Sequence, residues 1–376
     1  MNILVIGNGF DIAHGLPTKY SDFLSYVQAF YRMKNSTEDC DSLYYKYFQS
    51  LKNTRPEIYN ELDKLITDNC WLDYFTQIYK RRETEGKDGW IDFEREISLV
   101  IQALDSARHA INEALKHDDE NEHYCLQQWH LNILCPVVFK DGIIKNHEVF
   151  TFTASNIIAI KTLFLNCLNK LIRCLEIYLS DYISIDTCSQ LQDIANLEIH
   201  CVLSFNYTDT YKQIYDKSTG SIKYDFIHGK VNIANDVNNC NLVLGIDEYL
   251  SGEDKDKDNE FIQFKKFFQR IYKGTGCLYT DWARLINDNN IRFAKANPPI
   301  NNVYIYGHSL DITDADILRR LILLDNTITT IFYHSKESMG DQIANLVKVI
   351  GEEELIKRTD GRNRSIIFKQ SSSEIL

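Results

Sequence analysis

Proline is scarce in this chain. Five prolines in 376 residues leave no Pro-rich linker, and no repeat of useful length is evident, so the 44% hydrophobic content has to fill one large domain or two interleaved ones. Paired cysteine motifs are missing too. Ten cysteines occur without a single CxxC, and Asn2 to Ile6 already reads as a strand, with no basic n-region or cleavage site ahead of it. Cys167, Cys174 and Cys201 sit among apolar residues, as small hydrophobes do. Reduced thiols and a cytoplasmic location are the expectation. Positive charge is in deficit: 41 lysines and arginines against 53 acidic residues give a formal net charge of −12. That balance disfavours nonspecific nucleic-acid binding. A long uncharged apolar run is absent as well. The most apolar stretch, from Asn156 to Leu179, carries Lys161, Lys170, Arg173 and Glu176. Its Ile157, Ile160, Phe164, Cys167, Leu168, Leu171 and Leu175 recur at helical spacing, which predicts an amphipathic core helix and no membrane span.

What is present is a strand–helix opening, a long helical stretch, and then strands alternating with helices. NILVIG is a short, partly β-branched run, followed by GNGFD and a helix. From about Met33 to Leu197 the periodicity is almost wholly helical. Strand signals return in IHCVLSFNYT, IKYDFIHGK, NLVLGID, NNVYIYGHSLD, ITTIFYHS and RSIIFKQ. FIQFKKFFQRIYKGTG predicts a helix with Phe261, Phe264, Phe268 and Ile271 on one face. This order predicts an α/β, Rossmann-like fold: a mainly parallel sheet with helices on both faces and a large helical insertion after the first strand. The expected division is 1–32 with 198–376 as the nucleotide-binding domain and 33–197 as the insertion.

Several predicted strands end in polar clusters: GNGFD, SFNYTDT, HGK, GID and GHSLDITDAD. In an open parallel sheet, ligands bind at the C-terminal strand edge, so clusters far apart in sequence are expected to share one site. Gly7-Asn8-Gly9 fits a phosphate cradle or a plain tight turn, since Ile12 stands where G-x-G-x-x-G has its third glycine. Asp11 reads as a helix cap or a ligand contact. Asn206 offers a donor and an acceptor for a ribose hydroxyl or a water, and His228 is a candidate base; a turn cap and a structural histidine are the alternatives. Asp311, Thr313 and Asp314 compete as caps of the following helix, and Asp311, Asp314 and Asp316 are the carboxylates a metal-dependent nuclease would use. The alternation in WIDFE (Trp90, Asp92, Glu94) fits a half-buried helix face. His117, His123, Cys125 and His130 have no zinc spacing, so no metal is expected.

Taken together, VIGNGFDIAHGLPTKYSDF, WIDFE, SFNYT, IHGK, LGIDE and VYIYGHSLDITDADIL resemble the AbiH family of bacterial phage abortive-infection proteins. More distantly, the order of motifs is similar to sirtuin-like NAD-consuming domains. That resemblance implies NAD as substrate, with Gly7, Asn8, Gly9, Phe10 and Asp11 at the pyrophosphate, and Asn206 and His228 in catalysis. Gly307, His308, Ser309 and Asp311 would then hold the adenosine ribose or the wall. The chain departs from it in having GNGF for the first loop, Thr208 where an aspartate is expected, and no zinc ribbon. The resemblance also implies a homo-oligomer, a phage-derived trigger, and an insertion serving as lid or oligomer surface with Glu94 facing the pocket. A nucleotide-sensing switch or nuclease-type effector is the alternative function.

Overall fold

A computed structural model describes residues 1–37, 39–84, 91–115, 134, 154–186, 188–216, 220–293, 300–362 and 364–372. Trp90, His117, His123, Cys125 and His130 lie outside them. The chain divides into two compact units, one of residues 1–18, 183–231 and 274–376, the other of residues 19–182 and 232–273.

The first unit holds a six-stranded sheet: β1 (Asn2–Ile6), β2 (Cys201–Ser204), β3 (Lys223–Phe226), β4 (Asn301–Tyr306), β5 (Thr327–Tyr333) and β6 (Ile366–Gln370), in the order β3-β2-β1-β4-β5-β6. Every pairing is parallel. This is the Rossmann-like arrangement expected from the alternation of strand and helix signals. Burial explains why the strands read as continuous apolar runs. On one face Ile3, Val5, Leu203, Val303 and Ile331 join a core with Trp282, Ile317 and Leu346. On the other Leu4, Ile6, Val202, Tyr306 and Phe332 pack with Phe10, Ile194 and Tyr211. Neighbouring side chains of β1 and β2 thus enter different cores, which is why these two strands read as apolar throughout. The unit's helices are α1 (Asn8–Ala13), α8 (Thr210–Ile214), α10 (Tyr279–Arg292), α11 (Ala315–Ile322), α12 (Lys336–Ile350) and α13 (Glu352–Thr359).

The second unit holds α2 (Tyr20–Lys34), α3 (Leu43–Thr54), α4 (Pro56–Ile66), α5 (Cys70–Thr84), α6 (Phe93–Leu115), α7 (Ala154–Ile177) and α9 (Lys266–Lys273), with a few single turns and an irregular stretch over 232–253. On α7 the predicted apolar face is buried throughout. Arg173 and Glu176, expected on the wet side, are buried as well. Arg173 pairs with Glu61 at 2.9 Å and Glu176 at 2.8 Å and donates to the Asn232 and Ile233 carbonyls. Among the described residues no helix is long and apolar enough to cross a membrane.

Two expectations fail here. NLVLGID is not a strand; only an isolated bridge links Ile246 to Lys265. Side chains and a turn take its backbone partners instead. Gln269 accepts from the Leu244 N–H and donates to the Leu244 carbonyl, each at 3.1 Å, while the Ile246 N–H donates to the Phe264 carbonyl at 2.8 Å. The GID cluster therefore ends no strand, and it belongs to the second unit. The phenylalanine face of FIQFKKFFQRIYK also breaks up. Phe261 and Phe264 are buried before the helix begins, whereas within α9 Lys266 and Gln269 face inward and Ile271 is 78% exposed. Specific polar partners override the apolar period: Lys266 pairs with Glu94 at 2.7 Å and Lys265, just ahead of the helix, with Glu248 at 2.8 Å.

Candidate functional site

The register of the sheet aligns the site. Ile6 lies opposite Ser204 on one side and Tyr306 on the other, and Ser204 lies opposite Phe226. Parallel bonding runs on past these rungs, with Gly7 N–H donating to Tyr306 O at 3.1 Å, Phe205 N–H to Ile6 O at 2.9 Å and Ile227 N–H to Ser204 O at 2.9 Å. Asn8, Asn206, His228 and His308 each stand two residues beyond such a rung, in equivalent places on four adjacent strands.

The glycines close β1 on β4. Gly9 N–H donates to Gly307 O at 2.8 Å, and Phe10 N–H donates to Gly7 O at 2.8 Å. A Cβ on Gly7 would stand 2.7 Å from Gly307 O, and one on Gly9 2.7 Å from Gly307 Cα. Gly307 has φ +69°, and a Cβ there would collide with the Phe10 backbone nitrogen. What these glycines admit is another stretch of backbone, and the Gly7, Gly9 and Phe10 donors are engaged inside the protein. Gly307→Ala is expected to cost on the order of 1–3 kcal/mol from overpacking, beyond the strain of a left-handed alanine. Gly15→Ala, at φ +76° with nothing within 4 Å, should show the strain alone. Denaturant melts of the two variants measure the difference.

A buried polar cluster sits among these strand ends. Asp11, at 1% exposure, accepts from Thr208 Oγ1 at 2.5 Å, and Thr210 Oγ1 donates to Thr208 Oγ1 at 3.1 Å. Its other oxygen, Oδ1, has no hydrogen-bond partner. Burial pushes this carboxyl up to about 6, against the opposing pull of Thr208, Thr210 and the nearby Asn206 amide. Asn206 is buried, and both polar atoms of its side chain lack a partner within normal hydrogen-bond distance.

Asp314 lies between two buried histidines. His228 Nε2 is 3.6 Å from its Oδ1 and His308 Nε2 is 3.5 Å from its Oδ2. Leu310 N–H donates to His308 Nδ1 at 2.9 Å, which leaves the ring proton of a neutral His308 on Nε2, facing Asp314. Leu310 itself has φ +60° and is fully buried, a strained residue held between His308 and Asp311. The Phe205 ring meets both imidazoles edge-on, with centroids 5.6 Å from His228 and 4.3 Å from His308.

Asp11, Asn206, His228 and His308 are thus the sequence candidates that form this buried layer, and Asp314 joins them as a histidine partner. The others have different partners. Asn8 exchanges hydrogen bonds with Thr18. Phe10 is core, packed against His14, Tyr211, Tyr215 and Tyr306. Ser309 is exposed and its carbonyl accepts from Asn345 Nδ2 at 3.0 Å. Asp311 caps the turn before α11 by accepting from Thr313 N–H at 3.0 Å. Asp316 is exposed, so the trio of carboxylates proposed for a nuclease is dispersed. Among the described residues, the one group of His, Cys, Asp or Glu whose ligand atoms lie within 4.8 Å of each other is Asp105, His109 and Asp258. The Arg108 guanidinium already bonds both of those carboxylates and His109. In the second unit, Asp92 caps α6 by accepting from Arg95 N–H, and Glu94 pairs with Lys266.

A surface depression of about 490 Å³ in the first unit is lined by Asp186, Cys188, Gln190 and Gln213, among others. Burial and then the Asp11 charge push the Cys188 thiol up, so the depression is within electrostatic reach of Asp11.

Comparison with curated proteins and with solved structures finds no match. The family model for bacteriophage abortive infection AbiH matches residues 3–334, a span that includes Asp11, Asn206, His228, His308 and Asp314. The chain belongs to the AbiH family and has its role in abortive infection against bacteriophage.

Proposed function

We propose that the buried cluster at the ends of β1 to β4 makes this chain a hydrolase of the nicotinamide–ribose bond of NAD. The observation that carries the reading is the buried Asn206 amide, with no partner at normal hydrogen-bond distance and the displaced Asp11 carboxyl nearby, aligned across the strands with His228. Buried polar atoms normally find partners, and exceptions point to a ligand that supplies them. A ribose diol offers both donors and acceptors for Asn206 and for Asp11 Oδ1.

In this reading, water attacks C1′ of the ribose as the C1′–N bond breaks, giving ADP-ribose, nicotinamide and one proton. Nicotinamide leaves uncharged from a pyridinium, so the leaving group needs no acid. His228 takes the proton of the attacking water, and Asp314 stabilises the resulting imidazolium. Asp11, ionised above about pH 6, stabilises the oxocarbenium-like transition state. The engaged Gly7, Gly9 and Phe10 amides leave the diphosphate to other donors. The depression near Asp11 falls in the size range of small-molecule sites, roughly 300–1,000 Å³.

The test is a time course of NAD, nicotinamide and ADP-ribose with the purified 376-residue chain, with and without infected-cell extract. Release of nicotinamide and ADP-ribose in equal amounts, unchanged by chelator, is the expected result. No turnover under either condition would overturn the reading and favour a nucleotide-sensing site.

A further inference from the structure

In the second unit, the first residue of α5, Cys70, and Cys167, midway along α7, face each other across two packed helices. Both are free thiols and both are buried. The backbone holds them together from both sides. Asn69 Nδ2 donates to the Cys167 carbonyl at 3.1 Å, and the Cys167 thiol points at the Asp68 carbonyl at 3.8 Å. Asn69 also fixes the start of α5, its Oδ1 accepting from Trp71 and Leu72 N–H at 3.2 and 3.3 Å. Asp68, immediately before it, has φ +54°. The position of Cys70 is therefore set by a tight, hydrogen-bonded helix junction.

We infer that Cys70 and Cys167 form a redox-modifiable dithiol, converted to a disulfide by hydrogen peroxide. The Cys70 thiol and backbone beside it hold the Cys167 thiol below the usual thiol range, while the same neighbour pushes Cys70 up. Cys167 is therefore the thiol of the pair that ionises first, with a thiol beside it. Thiolate is the reacting form of cysteine. Lys170, one turn along α7, favours the same ionisation. Peroxide, close to water in size, is the oxidant suited to a pair that keeps only 9% exposure at Cys70 and 2% at Cys167.

The chemistry balances within the pair. The Cys167 sulfur attacks one peroxide oxygen, the O–O bond breaks, and the departing hydroxide takes up the proton released on ionisation to become water. The Cys70 sulfur then attacks the Cys167 sulfenic sulfur, the S–O bond breaks, and a second water leaves with the Cys70 proton. Two thiols and one peroxide become one disulfide and two waters.

The experiment treats the 376-residue chain with hydrogen peroxide, alkylates the remaining thiols after denaturation, and maps the peptides. Cys40 and Cys277, both exposed, serve as internal controls for oxidant strength. The expected result is a peptide pair linked through Cys70 and Cys167, lost on reduction, and formed at peroxide levels that leave other buried cysteines such as Cys174 free. A thermal melt of the oxidised chain should lie above that of the reduced chain, because the link closes a loop of roughly 100 residues. Cys167→Ser should abolish both the linked peptide and the shift in melting. Since that variant could fold poorly, the mapping of the parent decides. Recovery of Cys70 and Cys167 as alkylated thiols, or of either as sulfinic acid without a link, once Cys40 or Cys277 is oxidised, overturns the inference.

Discussion

Replacing His228 with alanine should lower the rate of nicotinamide release by about 10²–10⁴-fold, the usual contribution of a general base. The side chain is buried at a strand end, so the variant loses some packing, and circular dichroism with a denaturant melt separates misfolding from lost chemistry. Asp314→Asn sharpens the test. In the proposed mechanism Asp314 never touches substrate; it acts through the imidazole 3.6 Å away. Its replacement should lower turnover with little change in KM. The double variant should be no slower than His228→Ala alone, because residues that work as one unit are strongly non-additive. Multiplying losses would show that Asp314 acts independently of His228. Full turnover by folded His228→Ala would remove the histidine from the chemistry.

The pairing of His228 with Asp314 shows where sequence reading stops. The strands at β1 and β2 were legible because burial on both faces demands continuous apolar runs, and β3, a partly buried edge strand, through the polar end that follows it. From those ends Asn206 and His228 could be singled out one at a time. Their alignment could not, because it depends on β2 and β3 lying side by side in register, Ser204 opposite Phe226. Asp314 read as one helix cap among several. Only the placement of β4 next to β1 brings the loop after His308 to within reach of a histidine on β3, and no periodicity encodes that order. NLVLGID shows the converse failure. Its composition is that of a strand, yet Gln269 satisfies its backbone from the side, and a glutamine 25 residues downstream leaves no local signal. The glycines of the first loop were open to two readings for a related reason. A close approach was legible in GNG, but that the approaching group is the backbone of Gly307 follows from the pairing of β1 with β4.

Asp11→Asn should stabilise the fold at pH 8, leave it nearly unchanged at pH 4, and impair turnover. Burial raises this carboxyl from 3.8 to about 6, so between those values the folded chain binds a proton that the unfolded chain has released. Its contribution to stability is complete below about pH 4 and is lost as pH rises through about 6. At pH 8 the parent therefore carries an ionised carboxylate at 1% exposure, with Oδ1 lacking a partner. The displacement corresponds to roughly 3 kcal/mol. Asparagine keeps an oxygen that can accept from Thr208 Oγ1 and never ionises, so the variant should recover most of that amount at pH 8 and none at pH 4. Urea melts of parent and variant at the two pH values measure it. The same substitution removes the negative charge proposed to face the oxocarbenium-like transition state, so nicotinamide release should fall while stability rises. A carboxylate kept in place at a cost to the fold is what a working site requires and a helix cap does not. If Asp11→Asn left turnover intact while stabilising the protein, Asp11 would be a destabilising structural residue and the chemistry would rest on Asn206 and His228. If the substitution destabilised the chain at pH 8 as much as at pH 4, the carboxylate would be stabilising the fold through Thr208 and Thr210, and its displacement toward neutrality would be no mark of function.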